Sequence, residues 1–460
     1  MRIIHTADWH IGQYKGPVVN GENARFTDIK NRLAQLVEEV TVSHSDLVII
    51  AGDIFNQAEI QARRASEEEL LAADTIIKLS ESADDVIVLR GTPNHDGSGQ
   101  FDVLKGILAP HKHIHVVTEP TVIETRAADV ACIPGFDKQE FRAKFPGLNA
   151  EEENIQWTQE IGSIVMGLKA LCSRHPSILT AHYTVPGCNM ESGQTSFFSN
   201  FEPVIPREVL QAADFDAVML GHIHRPQQIN GLRSVYYSGS IEQLNFNDEG
   251  QDRGYYVHYF DEFKDRTKDD AIFLSLNPRQ HSTIKWNDDD VVDYLRDGKL
   301  SLAKYKIMDN IVRIKYSCTD EHKKALNIPQ LQSDLEALGA FYVSEISADN
   351  IMEVNNRGLL SEESDPVKNL RKWLEEKCIK DAAEVADLGQ PIIETAVAMQ
   401  TKSHVHGVFQ PVSIHVKNYR NYAEETFSFD GISFCTINGV NGAGKSSLFM
   451  DAMPDAWTIW

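Results

Sequence analysis

Residues 46–55 read Asp46-Leu-Val-Ile-Ile-Ala-Gly-Asp-Ile-Phe55: a short apolar run that ends in a glycine and, directly after it, an aspartate. Such a run, bounded by turn residues, predicts a buried strand. The same form recurs along the first 286 residues, in MRIIHTA (1–7), DVIVLRG (85–91), IHVV (114–117), DVACIPG (129–135), SILTAHY (177–183), AVMLGHIH (217–224) and SVYYSGS (234–240). Helical stretches such as Ile29 to Val40 and Ala65 to Leu79 lie between them. Alternation of this kind predicts a layered α/β domain.

The remainder divides less sharply. An acidic patch, Asn287-Asp-Asp-Asp290, precedes a segment with a βαβ outline: IVRIKYSC (311–318), one helix through HKKALNIPQLQSDLEALG (322–339), and AFYVSEIS (340–347). The expected order is a first domain over 1–287, a small capping domain over 300–360, a helical segment and linker over 361–407, and a further domain from 408 to 460. Within the last, a strand PVSIHVKNY (411–419) is followed by FSFD and ISFCTING.

Composition narrows the class. With 460 residues, 42% hydrophobic and 24% charged, the chain has the balance of a globular protein with two or three cores. A net charge of −23 argues against general adhesion to nucleic acid and leaves room only for a local basic groove. Six cysteines (Cys132, Cys172, Cys188, Cys318, Cys378, Cys435) form no C-x-x-C pair, so they read as reduced thiols rather than zinc or disulfide sites. The first residues hold no secretory h-region and no run is long enough for a membrane helix, so a cytoplasmic protein without a membrane partner is expected.

Five of the strand ends carry metal-ligand side chains: Asp8-x-His10, Gly52-Asp53, Asn94-His95-Asp96, His182, and His222-x-His224. Residues two apart on an extended strand end leave on one face, so Asp8 and His10 form one pair and His222 and His224 another. Oxygen ligands mixed with imidazoles suit Mn²⁺, Mg²⁺, Fe or Zn²⁺, and two ions sharing a carboxylate, for which Asp53 is the natural bridge. Taken singly, each residue would be an ordinary cap or core histidine; together, each after an apolar strand, they predict a site. His111-x-His113-x-His115 has similar spacing but is read as a solvated turn without a carboxylate partner.

In this order DWH, GDIF, NHD, AHY and GHIH resemble the calcineurin-like metallophosphoesterases over roughly residues 1–260, and within them the SbcD-type DNA exonucleases. The resemblance implies a four-layer αββα sandwich with a small cap that positions DNA. It implies one metal on Asp8, His10, Asp53 and His224 and another on Asp53, Asn94, His182 and His222. His95 is then the candidate general acid toward the leaving 3′ oxygen. Two Mn²⁺ or Mg²⁺, double-stranded DNA ends and single strands as substrates, and a homodimer follow from the same resemblance. Two departures stand out: the third motif reads Gly91-Thr-Pro-Asn-His-Asp96 instead of Gly-Asn-His-Asp, and GDIF continues Asn56-Gln57. The first means a different loop around Asn94. The second lacks the Asp-Arg-Gly of protein phosphatases and a histidine found in several nucleases.

Residues 439–446, Gly-Val-Asn-Gly-Ala-Gly-Lys-Ser, fit the phosphate-cradling pattern G-x-x-x-x-G-K-[ST] after the predicted strand ISFCTIN. With VKNYRNY and FSF they resemble the start of an SbcC-type ATPase of the ABC and SMC superfamily. That resemblance makes Gly439, Asn441, Gly442, Gly444, Lys445, Ser446, Ser447 and Arg420 candidates for ATP and Mg²⁺. Walker B, the signature motif and a coiled coil are not found in these residues, so weak nucleotide binding is expected rather than hydrolysis. The expected activity is a two-metal DNA exonuclease and endonuclease fused to an SbcC-like portion. Its rivals are a phosphomonoesterase or cyclic phosphodiesterase with the same ligands, and a non-catalytic scaffold. Arg63, Arg64, Lys304, Lys306, Arg313 and Lys315 are candidate phosphate contacts.

Overall fold

In a computed structural model the described residues are 1–57, 65–189, 203–261, 265–298, 305, 307–348, 385, 387, 389–390, 413–419 and 422–428. The chain divides into two compact units, 1–351 and 352–460.

The first unit is built on two six-stranded sheets. In the first, the parallel strands Arg2–Thr6, Leu47–Ile50, Val86–Leu89 and Ile114–Val117 lie side by side, and Gly254–Asp261 and Asp265–Ser275 extend the edge antiparallel. In the second, Asp129–Ile133, Ser177–His182, Ala217–Gly221 and Val235–Tyr237 run parallel, flanked by the antiparallel strands Thr121–Glu124 and Gln227–Gln228. Leu47–Ile50 is buried on both faces, which is why its sequence shows no polar alternation. One face meets the other sheet: Ile49, Ile87, Leu89, Val130, Ile178 and Met219 form the layer between them. The opposite face meets helices Ala24–Ser43, Ala65–Glu81 and Ser98–Leu108 through Val48, Ile50 and Val86. The second sheet is covered likewise by Ala150–Leu171 and Arg207–Ala213. The layers therefore run helix, sheet, sheet, helix.

Local chemistry accounts for the helices. Asn23 caps Ala24–Ser43 by accepting from the Phe26 N–H, and Phe26, Ile29, Leu33, Leu36 and Val40 repeat at three- and four-residue spacing on the buried side. Asn149 and Glu152 form a reciprocal capping box on Ala150–Leu171.

The cap differs from the expectation at its start. His281–Trp286, read as the end of the first domain, pairs in parallel with Ile311–Tyr316, which pairs with Tyr342–Ala348. Helix Asp288–Asp297, capped by Asn287, packs Val291 and Tyr294 into the same small core as Ile284, Val312 and Leu335. The acidic patch is thus a helix start inside the cap rather than a boundary. The single helix expected over 322–339 is two, Asp320–Ala325 and Ile328–Ala337, because Asn327 caps the second and Pro329 sits in its first turn.

His115 also departs from its reading as a solvated turn: it lies on the strand Ile114–Val117, with Nε2 3.0 Å from Asp85 Oδ1. In the second unit, Ser413–Tyr419 pairs antiparallel with Tyr422–Ser428. Arg63, Arg64, Lys304, Lys306, Arg420 and the P-loop residues Gly439 to Ser447 lie outside the described residues, as does most of the expected helical segment.

Candidate metal centre

All the predicted side chains leave from the C-terminal ends of parallel strands, where α/β sheets open toward ligands. Asp8 and His10 follow Arg2–Thr6, Asp53 follows Leu47–Ile50, His182 ends Ser177–His182, and His222 and His224 follow Ala217–Gly221. Three overlapping triples have ligand atoms within 4.8 Å of one another: Asp8, His10 and His224; His10, Asp53 and His95; Asp53, His182 and His222. Asp53 belongs to two of them. Its Oδ2 lies 3.2 Å from His182 Nε2 and 4.0 Å from both His10 Nε2 and His95 Nε2.

The backbone is forced into this arrangement. Asp8, His10, Asp53 and His222 have φ of 50°, 44°, 51° and 94°. Side chains rarely adopt that region, and the four together cost roughly 4–12 kcal/mol, the order of a domain's entire net stability. The two packed sheets must therefore hold them. Close approach also needs glycine: a Cβ on Gly91 would lie 2.2 Å from Asp53 N and Oδ1, and one on Gly52 2.4 Å from His182 Nδ1.

Surrounding groups settle which atoms face the centre. His182 Nδ1 is 2.7 Å from the Ala51 carbonyl, so it carries hydrogen there and Nε2 is turned to Asp53. The His222 N–H lies 3.1 Å from both Asp8 oxygens. His95 Nδ1 donates to the Asn56 carbonyl at 2.6 Å, while Tyr14 donates to the Asn56 side chain at 3.0 Å. Asp96 accepts from the N–H groups of Ile54, Phe55 and Gly91, stapling two loops together. It is a structural carboxylate.

Asn94 stands apart from the other six predicted ligands. It is exposed at the tip of a turn closed by the His95 and Asp96 N–H groups on the Thr92 carbonyl. Thr92, which follows Gly91 where the usual motif has its asparagine, reaches the centre instead: its N–H and hydroxyl donate to Asp53 Oδ1 at 2.7 and 3.1 Å. Neither Thr92 nor Asn56 was singled out for a role from the sequence, although the two extra residues after Gly91 were the signal.

Charge and hydrogen bonding test whether cations fit. His10 Nε2 and His224 Nε2 face each other at 3.0 Å, and His10 Nδ1 and His224 Nδ1 are buried without a hydrogen-bond partner. Burial pushes His222 down to about 4 and His224 to about 3, so both are neutral electron-pair donors at pH 7. Burial raises Asp8 to about 7. Burial would also raise Asp53, but the charges of His182, His10 and His95 hold it well below the carboxylate range. His182, which burial alone would lower, is held at about 9 by Asp53. Carboxylates together with neutral imidazoles make a donor set that suits divalent metals.

Residues 1–226, just under half of the chain, match the model of the calcineurin-like phosphoesterases, a family with a dinuclear metal centre. Among individual relatives, the SbcD component of the nuclease SbcCD from Escherichia coli (strain K12) is 27% identical over 272 residues. The match takes in 56% of this chain and 64% of that protein's length. Solved structures with some likeness include a phosphopantetheinyl hydrolase from Mycobacterium tuberculosis, with a TM-score of 0.30, 15% identity, and coverage of 52% of this chain and 89% of that one. A dimetal phosphatase from Danio rerio has a TM-score of 0.35 and 12% identity, covering 60% of this chain and 99% of that one. Among the described residues no helix is long and apolar enough to cross a membrane.

Proposed function

We propose that the protein hydrolyses DNA phosphodiester bonds as a two-metal exonuclease and endonuclease that processes DNA ends in double-strand-break repair. The observation that carries this reading is the clustering of Asp8, His10, His95, His182, His222 and His224 in three overlapping groups, two of which share the buried carboxylate Asp53, in a chain related to a component of a nuclease. One Mn²⁺ or Mg²⁺ would be held by Asp8, His10, Asp53 and His224. The other would be held by Asp53, His182 and His222, with Asn94 as the fourth ligand the sequence resemblance implies. Such a pair of cations acidifies an attacking water and neutralises the phosphate oxygens.

The remaining chemistry belongs to His95. Its Nδ1 hydrogen is committed to Asn56, so Nε2 is the atom that exchanges a proton, and the side chain is 34% exposed, open to substrate. In this reading Nε2 protonates the departing 3′ oxygen. The cap bears on the same region. Lys15, between His10 and the helix that follows, donates to the Ser344 carbonyl of the cap strand Tyr342–Ala348 at 3.2 Å. Of the expected phosphate contacts, Arg313 stacks over Phe246 at 4.2 Å and Lys315 pairs with Glu345 at 2.7 Å, so both are engaged within the protein. By the sequence resemblance an SbcC-like ATPase portion would gate the nuclease, the chain would act as a homodimer, and Lys445, Ser446 and Arg420 would hold ATP with Mg²⁺.

The test is Mn²⁺-dependent nucleotide release from linear double-stranded DNA beside hydrolysis of p-nitrophenyl phosphate, for the protein and for His95→Ala. DNA degradation with silence toward the monoester, lost in the variant, supports the nuclease. Cleavage of the monoester alone would replace it with a phosphomonoesterase.

A further inference from the structure

A second cavity, of about 240 Å³, opens beside the metal centre and takes no part in the chemistry above. Five aromatic side chains line it: Phe136, Phe141, Phe145, Trp157 and Tyr183. They pack on one another, with Trp157 stacked on Tyr183 at 5.5 Å and 14°, and Phe136 edge-on to Trp157 at 4.7 Å. Phe136 and Phe145 are half-buried, so part of each ring reaches the mouth.

The two sites share walls. Tyr183 directly follows His182, and Arg90 directly precedes Gly91 and Thr92. The Gly135 N–H donates to the Arg90 carbonyl at 2.9 Å, and a Cβ on Gly135 would fall 2.4 Å from the Gly91 carbonyl and 2.7 Å from Thr92 N. Thr92 N is itself the donor to Asp53 Oδ1. One thickness of backbone therefore separates the cavity from the candidate metal carboxylate. Both open at the C-terminal ends of the parallel strands.

The lining chemistry selects the occupant. Glu119, Asp137, Glu140 and Glu160 surround the aromatic floor, and Lys144 is paired with Glu160 at 3.2 Å. A phosphate would be repelled there. A flat, uncharged ring with N–H groups on its edge would meet ring faces below and carboxylate acceptors around it. Arg90 adds a buried Nε without a hydrogen-bond partner, a donor whose isolation is costly unless an acceptor fills the cavity. At about 240 Å³ the space is below the roughly 300–1,000 Å³ of drug-sized sites, which suits a single ring system.

Resting on the nuclease reading above, we infer that this cavity binds one unstacked nucleobase of the DNA strand whose backbone passes over the metal centre. Aromatic faces stack any base, so the pocket holds the strand without reading a fixed sequence. It would separate the terminal base from its partner while the adjoining phosphate reaches Asp53 and His95.

The experiment titrates the full chain, with Ca²⁺ in place of Mn²⁺ to slow cleavage, against single-stranded oligonucleotides. Each carries 2-aminopurine, or an abasic residue, at successive positions from either end. The expected result is quenching of 2-aminopurine at one position, and roughly tenfold weaker binding of the oligonucleotide that is abasic there. Phe136→Ala should weaken the base-containing strand by the same factor and bind the abasic strand as the unaltered protein does. If DNA is bound and cleaved but no position is quenched and abasic strands bind equally well, the base pocket is wrong and the nuclease stands. If no DNA is bound or cleaved at all, both readings fall. The abasic series varies only the ligand, so it decides the matter even where a pocket variant fails to fold.

Discussion

The metal centre and the joint between body and cap are both dense in buried polar groups, yet they are built on opposite rules. At the joint the principal arginines each meet a carboxylate. Arg279 takes both oxygens of Asp28 at 2.8 Å, bonds Asp309 and lies 3.5 Å from the centre of the Phe341 ring. Arg25 meets the same Asp28, and Arg253 meets Asp248 at 2.6 Å. At the metal centre, by contrast, imidazole nitrogens stay unpartnered, a carboxylate is crowded by histidines, and the backbone is strained at four residues. Arginines paired with carboxylates hold parts together. A cluster of ligand-type side chains held at structural cost is a candidate for binding rather than for cohesion.

The contrast breaks most completely if Asp53 is dispensable. Asp53→Asn should abolish binding of two Mn²⁺ by calorimetry and lower hydrolysis roughly a thousandfold or more, beyond the roughly 10–100-fold of outer groups. Two-metal binding with normal turnover would show that the cluster is structural. His95→Gln should keep both metals and lose roughly 100–10,000-fold in kcat; loss of a metal instead would move His95 from proton donor to ligand. Thr92→Val removes only a hydroxyl from Asp53 Oδ1 and should weaken metal affinity roughly 10–100-fold. An unchanged titration would leave that loop without a positioning role.

The joint should respond in stability and leave metal binding alone. Arg279→Met is expected to cost about 2 kcal/mol in urea unfolding, since charge-assisted bonds are lost but Asp28 keeps Arg25. The smallest effect is a pH dependence. His281 is buried beside Phe246, with Nδ1 3.2 Å from Gln243 Oε1, and burial holds its pKa at about 3 against an ordinary 6.5. Between those values the unfolded imidazole binds a proton that the folded one refuses. Stability is therefore full above about pH 6.5 and falls as the pH drops toward 3. The loss between pH 7 and 5 should be smaller in His281→Asn; an equal slope would place the acid sensitivity elsewhere.

Legibility followed the same division. The parallel strands were readable because burial on both faces leaves an uninterrupted apolar run, and six of the predicted metal residues are readable because each closes such a run. The cap's first strand was misplaced because His281–Trp286 pairs with a strand about thirty residues onward, a partner no local pattern names. The third motif differs in form from the usual one. Asn94 lies exposed in the turn that the His95 and Asp96 N–H groups close on the Thr92 carbonyl. The sequence also offered no hint of the aromatic cavity. Its members come from segments 136–145, 157 and 183, which read as ordinary core residues until the second sheet brings them together.

By itself the sequence determined the α/β class and the strand order of chemical side chains, because these depend on what each strand ends in. Only the tertiary structure decided which nitrogen of each histidine faces the centre, that Thr92 stands beside Asp53, and where the cap begins. Those outcomes depend on contacts between segments tens to hundreds of residues apart: a carbonyl at Ala51 turning His182, one at Asn56 turning His95, and Thr92 meeting Asp53 across Gly91. Hydrogen bonds and sterics of that range act through space, and local periodicity carries no record of them.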